Sequence, residues 1–336
     1  MNITKPGARR PIRAGITYNL KKGAAAEPPD LEAEYDDFGT ILAIKDALEA
    51  GGHAVELFEA TEDLHARLAA SRPDIVFNIA EGASGRGREA HIPAILNYLR
   101  IPFTGSDETT MCIAMDKALT KRLLASYHIL TPKYKVFAAD APISFSGLTT
   151  PVIVKPNCEG SGMGISGASV IDNVAELRRT VNESLAAYKQ EILAEEFIDG
   201  REFTVGILGN GNETRVFPPM EIIFKDKKHN IYSLEIKKNF RKFVEYECPP
   251  SLPPALRTQL EISARKAYDI LKCRDLARID FRLSQDGRIF LIEVNPLPGL
   301  APGYSDFPMI AEFCGIGYNF LIQSILYHAR CRYGLS

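Results

Sequence analysis

One segment of the sequence, residues 278 to 295, carries the side chains whose types and spacing are best suited to chemistry. Within it, Asp286-Gly287 separates two runs that alternate apolar and polar residues. This predicts a β-hairpin with a type I′ turn, because both residues tolerate positive φ. A hairpin centred there pairs Asp280 with Glu293 on one face of the sheet. The predicted polar face comprises Arg278, Asp280, Glu293 and Asn295, and the predicted apolar face comprises Ile279, Phe281, Phe290, Ile292 and Val294.

The polar face offers two carboxylates and an amide oxygen. These are the hard-oxygen donors that bind Mg²⁺ while leaving coordination positions for phosphate. A stiff turn, Asn295-Pro-Leu-Pro-Gly299-Leu-Ala-Pro-Gly303, follows directly. Such a turn presents backbone N–H groups beside the predicted ions, as an oxyanion site requires. A solvated charged face is the alternative interpretation for the hairpin alone, and the turn favours the metal site.

A glycine-rich segment is the second candidate, and it reads Lys155-Pro-Asn-Cys-Glu-Gly160-Ser-Gly-Met-Gly164. Glycine lets the backbone approach phosphate oxygens, and the lysine supplies charge. The spacing differs from that of a P-loop, which excludes the P-loop NTPase class. A flexible hairpin tip is the alternative. Residues 195 to 202 are the third candidate. They are either a simple strand and turn, or they bind ATP, with adenine at the backbone groups of 196 to 198 and ribose at Glu202.

The composition is that of an ordinary globular protein. In 336 residues, 40 Lys and Arg face 42 Asp and Glu, a formal net charge of −2, with 46% apolar and 24% charged residues. Nucleic-acid coating and membrane-surface binding need surplus positive charge, so neither partner is expected. The 6 cysteines are scattered singly, which indicates reduced thiols. Since neither a signal-peptide pattern nor an apolar stretch of about 18 residues occurs, we expect a cytoplasmic protein.

The elements that must position these residues begin with strands that alternate with a helix. This pattern predicts an α/β (α+β) fold with an N-terminal parallel sheet, whose ligands bind at the carboxyl ends of the strands. The segments concerned are residues 12–18, 40–52, 54–60 and 73–80. Residues 20–37, rich in Ala, Pro and acids, predict a long mobile loop. The cation-rich residues 225–243 predict an exposed segment.

Six segments, in order along nearly the whole chain, resemble the motifs of the ATP-grasp superfamily and, within it, of the D-alanine–D-alanine ligase family. They are residues 101–107, 115–121, 151–166, 194–209, 277–283 and 293–299. The resemblance implies an ATP-grasp fold with an N-terminal pre-ATP-grasp α/β domain at 1–106, a central subdomain at 107–190 and a C-terminal subdomain with the metal-binding hairpin at 191–336. It also implies that ATP and two Mg²⁺ ions, replaceable by Mn²⁺, bind between the last two.

The reaction that this resemblance implies is ligation through an acyl phosphate. A carboxylate attacks the γ-phosphate of ATP, an amine attacks the acyl phosphate, and an amide, ADP and phosphate leave. By matched position, the implied ATP ligands are Lys117, Lys155, Glu195, Glu196, Phe197, Ile198 and Glu202. The implied metal ligands are Asp280, Glu293 and Asn295. The implied catalytic groups are Arg278, the Gly299 N–H, Ser161 and Lys237, the last on a loop that closes over ATP.

Both substrate ends depart from the family pattern. The family's opening glycine-rich segment carries a Glu, which is absent from Gly15-Ile-Thr-Tyr-Asn-Leu, and its loop Tyr is Lys238 here. At the second-substrate end, Ser305 matches a carboxylate-binding Ser after a one-residue insertion, and Asp306 is an unexpected neighbour. Specificity for D-alanine is therefore not implied.

A charged loop replaces the family's His-Gly stretch at the first-substrate end. It contains Glu81, Arg86, Arg88 and Glu89, directly after an apolar run. We hypothesise that these residues bind the first substrate, with an arginine holding a carboxylate by two hydrogen bonds. A solvated loop with helix-start charges is the alternative.

The leading hypothesis is an ATP-dependent carboxylate–amine ligase with non-standard substrates. An ester-forming ligase with a hydroxyl acceptor and an ATP-binding regulatory or scaffold protein without turnover are the alternatives. The complete set of Arg278, Asp280, Glu293 and Asn295 favours an enzyme, since a binding module needs no such set. The implied partners are small amino-acid or peptide substrates and a second copy of the chain in a homodimer.

Overall fold

The computed structural model describes residues 10–23, 32–160, 170–225 and 231–335, and it has the predicted mixed α/β fold. The strands are β1 (Arg13–Tyr18), β2 (Ala54–Glu59), β3 (Ile75–Asn78), β4 (Tyr134–Phe137), β5 (Val152–Pro156), β6 (Val170–Ile171), β7 (Ile192–Glu196), β8 (Gly200–Leu208), β9 (Arg215–Val216), β10 (Met220–Phe224), β11 (Val244–Glu247), β12 (Leu276–Ser284) and β13 (Ile289–Asn295). The helices are α1 (Phe38–Ala50), α2 (Leu64–Ser71), α3 (His91–Leu99), α4 (Glu108–Met115), α5 (Lys117–Ser126), α6 (Val174–Tyr188), α7 (Leu234–Lys238), α8 (Phe240–Phe243), α9 (Pro254–Ile270), α10 (Asp306–Phe313) and α11 (Tyr318–Arg332).

The N-terminal sheet is parallel, as predicted, with the strand order β2-β1-β3. Successive residues of a strand point to opposite faces, so Ile75 and Phe77 join one apolar cluster and Val76 joins another. Helices α2 and α3 cover the second face. The first face is covered by α1 together with α10 and α11. The core of this sheet is therefore built from both ends of the chain.

The helices α10 and α11 connect the end of the chain to its beginning. Gln323 on α11 donates to the carbonyl oxygen of Ala47 on α1 at 2.6 Å, and Arg332 pairs with the buried Asp275 at 2.7 Å. Among the described residues, no single helix is long and apolar enough to cross a membrane, and α10 and α11 meet that test only together, as a pair bent by 108°. The division of the chain at residues 106 and 190 stays a prediction.

The second sheet has the order β4-β7-β5-β6 and is antiparallel. Helix α6 packs on it through Leu177 and Val181. Strand β7 pairs with β4 and β5, so the strand just after the predicted boundary at residue 190 lies in the same sheet as earlier residues. Since Ile153 pairs with Glu195, the side chains of Lys155 and Glu195 are diagonal neighbours on one face.

The third sheet has the order β11-β10-β8-β12-β13, with β9 beside β8. Strand β8 pairs with β12 along its whole length. Helix α9 covers one face through Leu260, Ala264 and Tyr268. On the other face, residues of β8, β12 and β13 line a cavity together with residues of β5 and β7. The second and third sheets therefore enclose a cleft.

The hairpin β12–β13 has the predicted pairing at its polar end but not at its turn. Asp280 pairs with Glu293, whereas Phe281 pairs with Leu291, so a β-bulge leaves Ile292 unpaired. At the turn, Gly287 has a φ of 84°. Asp286 is absent from the described residues with positive φ, so the turn is not of type I′. The predicted apolar face was wrong at two positions, because the core cluster contains Ile289 and Leu291 in place of the predicted Phe290 and Ile292. Ile292 instead faces the cleft.

Candidate active site

Two cavities meet in the cleft. The wide cavity, of about 620 Å³, lies between the segments that follow β1 and β3, the stretch 33–40 and the turn 295–305. The narrow cavity lies between the second and third sheets. Lys117, Glu159 and Glu293 line both, so a molecule in one cavity can touch a molecule in the other at this junction.

The narrow cavity brings together the residues predicted to bind ATP and the predicted catalytic Lys237, although they come from six separate elements and segments. Those that line it are Lys117, Lys155, Glu195, Glu196, Phe197, Ile198, Glu202 and Lys237. Burial raises the pKa of Glu202 to about 7 despite the nearby Arg282 guanidinium. The Lys237 ammonium stands 5.0 Å from the centre of the Tyr232 ring. Residues 231–243, predicted to be exposed, instead include α7 and α8 and the buried Ile231 and Ile236.

Glu195 is buried between two lysines. Its carboxylate lies 2.5 Å from the Lys155 ammonium and 2.7 Å from that of Lys121. Burial alone raises the pKa of Glu195, but the two ammonium groups outweigh it and lower the pKa to about 2. Glu195 is therefore an anion that holds Lys155 in place. Lys121 was missed by the sequence analysis, although it follows Lys117 by one helical turn on α5.

Replacing Glu195 with Gln should destabilise the fold, because two buried ammonium groups would lose their shared counter-ion. We expect the free energy of unfolding at pH 7 to fall by about 3–5 kcal/mol, measured by urea denaturation. The folded-state pKa is depressed, so the contribution is complete above the ordinary pKa of 4.5 and is lost as the pH falls towards about 2. Glu196→Gln is the control, since its partner Lys133 is mostly exposed. Equal losses of unfolding free energy in both variants would contradict the assignment of Glu195 as the counter-ion of the two lysines.

The polar face of the hairpin forms one connected cluster. Asp280 accepts hydrogen bonds from the Thr204 hydroxyl at 2.7 Å, from Arg278 at 2.9 and 3.0 Å, and from the Asn295 amide at 3.1 Å. Burial raises the pKa of Glu293, but Lys117 and other nearby cations outweigh it and lower the pKa to about 2. Glu293 is therefore ionised at neutral pH.

These donors suit a hard divalent cation. Asp280 lines the narrow cavity, Asn295 lines the wide one and Glu293 lines both. Asp280 is paired with Glu293 and hydrogen-bonded to Asn295. An ionised carboxylate, a second carboxylate and an amide are the ligand types that Mg²⁺ binds while it keeps positions for phosphate. The three residues predicted to bind metal therefore lie together, where two substrates could meet.

Arg278 and Gly299 both line the wide cavity, as the oxyanion prediction requires. A Cβ atom at Gly299 would lie 2.8 Å from the Ser305 hydroxyl oxygen, so this close approach favours glycine. The same hydroxyl accepts a hydrogen bond from the Ala301 N–H at 3.1 Å. Ser305 therefore fixes the turn next to the predicted oxyanion position. Ser161 lies outside the described residues.

Carboxylates form the opposite wall of the wide cavity. They are Glu34, Asp36, Glu81, Glu89 and Glu159. Oxygens of Glu34, Glu81 and Glu89 lie within 4.8 Å of one another. Burial raises the pKa of Asp36 to about 7, and it raises the pKa of Glu81 and of Glu89. We call these five residues the acidic wall.

The predicted substrate residues are divided between two places. Glu81 and Ser305 line the wide cavity, whereas Arg86 and Arg88 line a third cavity of about 470 Å³, which shares Tyr35 and Glu159 with the wide one. Arg86 is paired with Asp116, and Arg88 is buried against the acidic wall. Arg88 donates to Glu34, to Glu159 at 3.2 Å and to the Glu81 carbonyl oxygen at 2.9 Å. Both guanidinium groups therefore already hold carboxylates of the protein, and their predicted contact with a substrate carboxylate stays a prediction.

Glu34 and Asp36 were not predicted to be functional residues, because they lie in the stretch predicted to be a loop. Their position is set by the start of α1, where the Asp37 side chain accepts from the Thr40 N–H at 2.8 Å. A backbone bridge between Leu20 and Asp36 fixes the same stretch to the end of β1. An Asp three residues before a Thr, ahead of an apolar run, was the one local signal of this helix start.

Comparisons with known proteins agree with this geometry. A family model described as the C-terminus of D-ala D-ala ligase matches residues 127–327. The chain is 33% identical over 282 residues to a D-alanine–D-alanine ligase of Cupriavidus necator, over 83% of each chain. It is 34% identical over 295 residues to that of Bordetella petrii, over 86% of each chain. The crystal structure of a Bacillus anthracis D-alanine–D-alanine ligase complexed with ATP has the same fold, with a TM-score of 0.74 at 22% identity over 97% of this chain and 100% of that one.

Proposed function

This chain belongs to the D-alanine–D-alanine ligase family, and from that premise we propose that it joins two amino-acid-like substrates through an acyl phosphate. Its relatives are D-alanine–D-alanine ligases, so this chain is an ATP-dependent ligase that forms an amide bond. The observation that supports the proposed route is the junction of the two cavities at Lys117 and Glu293. ATP in the narrow cavity would present its γ-phosphate there, next to a carboxylate held in the wide cavity.

The first step is attack by a carboxylate oxygen of the first substrate on the γ-phosphorus, with ADP as the leaving group. Lys117, Lys155 and Lys237 line the narrow cavity and would neutralise phosphate charge. Asp280, Glu293 and Asn295 would hold two Mg²⁺ ions. When bound, Mg²⁺ supplies further neutralisation of the phosphate oxygens. Positioning and charge neutralisation are the main contributions that a protein makes to phosphoryl transfer.

The second step is attack by an amine on the carbonyl carbon of the acyl phosphate. The tetrahedral intermediate carries an oxyanion, which Arg278 and the Gly299 N–H would stabilise from the wide cavity. The intermediate then expels phosphate, the nitrogen loses a proton and the amide remains. Water must be excluded, because it would hydrolyse the acyl phosphate.

We further propose that the first substrate carries a cationic side chain. Four carboxylates, those of Glu34, Glu81, Glu89 and Glu159, lie around the single guanidinium of Arg88. Burial raises the pKa of Glu81 and of Glu89, and positive groups on a substrate would favour the ionised forms of these carboxyl groups. An α-ammonium group supplies only one such charge. Buried carboxylates without counter-ions are costly, so a second positive group on the substrate would be stabilised at this wall.

The acidic wall also explains how the chain manages without the family's opening Glu. The matching stretch begins at Gly15, which lies in the sheet interior, where a Cβ atom would stand 3.0 Å from the Phe58 ring. Carboxylates from two other stretches, near residue 34 and near residue 81, face the cavity instead. The first-substrate end is thus rebuilt from different elements, which supports a substrate other than D-alanine.

A substrate panel tests both proposals. Phosphate release from Mg-ATP is measured with pairs of D- and L-amino acids, and mass spectrometry follows every positive pair. Lysine, ornithine and arginine are compared with the neutral norleucine, norvaline and citrulline. We expect release only with two partners, a product one water lighter than their sum, and a kcat/KM roughly tenfold or more higher for the cationic member.

The outcomes separate the proposals. Amide formation from D-alanine alone would refute the cationic substrate and leave the ligase intact. An ester product would show that the acceptor is a hydroxyl group rather than an amine. Binding of Mg-ATP without release in any pair would refute turnover with amino acids and favour the scaffold alternative.

A further inference from the structure

Asp306 has a side chain that the proposed reaction does not yet use. It is the first residue of α10 and directly follows Ser305, which lines the wide cavity. Asp306 instead lines the narrow cavity and is 6% exposed. Its carboxylate accepts a hydrogen bond from the Tyr232 hydroxyl at 3.1 Å and lies 3.8 Å from Nη1 of Arg278. This charge is therefore buried beside the predicted oxyanion residue.

Three carboxylates surround the Arg278 guanidinium. Asp280 binds its Nε and Nη2 atoms at 3.0 and 2.9 Å, and Glu293 lies 4.0 Å from Nη2. Asp306 faces the remaining nitrogen, Nη1. Asp280 and Glu293 thus share Nη2, whereas Asp306 approaches Nη1, and Asp306 is the one of these three acids outside the set predicted to bind metal.

The binding of Mg²⁺ would change this balance. The charge of Asp280 and Glu293 would then be shared with the ions, and the guanidinium would have cations as neighbours. A buried arginine that loses its counter-ions is destabilised and moves towards solvent or another acid. Of the three acids, Asp306 is the one whose carboxylate would not be shared with an ion in that state.

We propose that Asp306 is a positioning residue, which holds Arg278 at the oxyanion site while Asp280 and Glu293 bind metal. This inference rests on the proposed ligase function. Tyr232 holds Asp306 in turn, and its hydroxyl oxygen lies 2.5 Å from that of Tyr246 on β11. Tyr232 also stacks under the Lys237 ammonium. One chain of contacts therefore links Lys237, at the phosphate end, to Arg278, at the amide-forming end.

A purely structural role is the competing explanation, since a carboxylate in the first turn of a helix stabilises the helix. Asp306→Asn separates the two, because it keeps the shape and the hydrogen-bond acceptor but removes the charge. A positioning role predicts that kcat falls roughly 10- to 100-fold while KM for ATP and the unfolding midpoint change little. Glu312→Gln, at an exposed position of the same helix, is the matched control and should behave as wild type.

The second readout is the number of ADP molecules formed for each amide. Arg278 is proposed to act after the acyl phosphate forms, so a misplaced guanidinium slows amide formation and lets water consume the acyl phosphate. We expect the ratio to rise above one in Asp306→Asn. Tyr232→Phe should raise the ADP-to-amide ratio less than Asp306→Asn does. The double variant should resemble Asp306→Asn, because both residues act through the same chain of contacts.

A slower Asp306→Asn enzyme with a raised ADP-to-amide ratio and an unchanged unfolding midpoint supports the inference. An unchanged kcat, or a lower unfolding midpoint with an unchanged ratio, overturns it and leaves the ligase function standing. A wild-type enzyme that forms no amide overturns the proposed function, and this inference with it.

Discussion

Glu293→Gln should abolish amide formation, with kcat lowered roughly a thousandfold or more. Glu293 is the one proposed metal ligand that lines both cavities, and it lies 4.0 Å from both Lys117 and Arg278. Glutamine keeps the shape of the side chain but removes the charge that would hold a metal ion at the junction. The loss would therefore affect phosphoryl transfer itself, and neither ADP nor amide should accumulate.

The measurement is the rate of ADP and amide formation at saturating Mg-ATP. Asp286→Asn provides a control on the same hairpin, because Asp286 is 57% exposed and pairs only with Arg288 among its ionic partners in the described residues. That variant should keep wild-type turnover. A Glu293→Gln enzyme with more than a tenth of wild-type activity would refute the metal-ligand assignment. Retention of ATP binding without turnover would confirm that the folded site survives.

Arg278→Lys should lower kcat by roughly 100- to 1000-fold, which is the range for loss of one oxyanion donor. Lysine keeps the positive charge but has neither the planar fork nor the three separate nitrogens through which Arg278 contacts its neighbours. The defect should appear in amide formation rather than in ATP binding. We therefore expect KM for ATP to change little and the number of ADP molecules formed for each amide to rise.

The control is Arg288→Lys, since Arg288 lies at the exposed end of the same hairpin. This variant should change neither kcat nor the number of ADP molecules formed for each amide. If Arg278→Lys kept kcat within tenfold of wild type, the oxyanion would have to be stabilised mainly by the backbone of the 295–303 turn. Parallel loss of ADP and amide would instead assign Arg278 to the phosphate step.

The proximity of Asp280, Glu293 and Asn295 could be predicted because the information for it is local. Alternation and a turn are enough to pair Asp280 with Glu293, and the structure has that pairing. The turn itself has a different type, and the bulge at Ile292 restores the register before the polar residues are reached. A bulge of this kind has no clear sequence signal, because an extra apolar residue in an apolar strand leaves the alternation ambiguous.

The acidic wall could not be predicted in the same way. Its members come from stretches near residues 34, 81 and 159, and no periodicity indicates which loops approach one another. The sequence did predict a substrate role for the loop that contains Arg88. Whether its arginine faces a ligand or the protein depends on Glu34, which is distant in sequence. The cytoplasmic location and the homodimer stay predictions.

The packing of α11 on the first sheet has a consequence for synthesis in the cell. Ile16 and Ile41 share a cluster with Leu321 and Ile325, so the start of the chain cannot bury this face until the last helix has left the ribosome. Most contacts of this kind span nearly the full length of the chain, and such contacts slow folding. The part of this face that α1 does not cover therefore stays exposed in the nascent chain while both later sheets are translated.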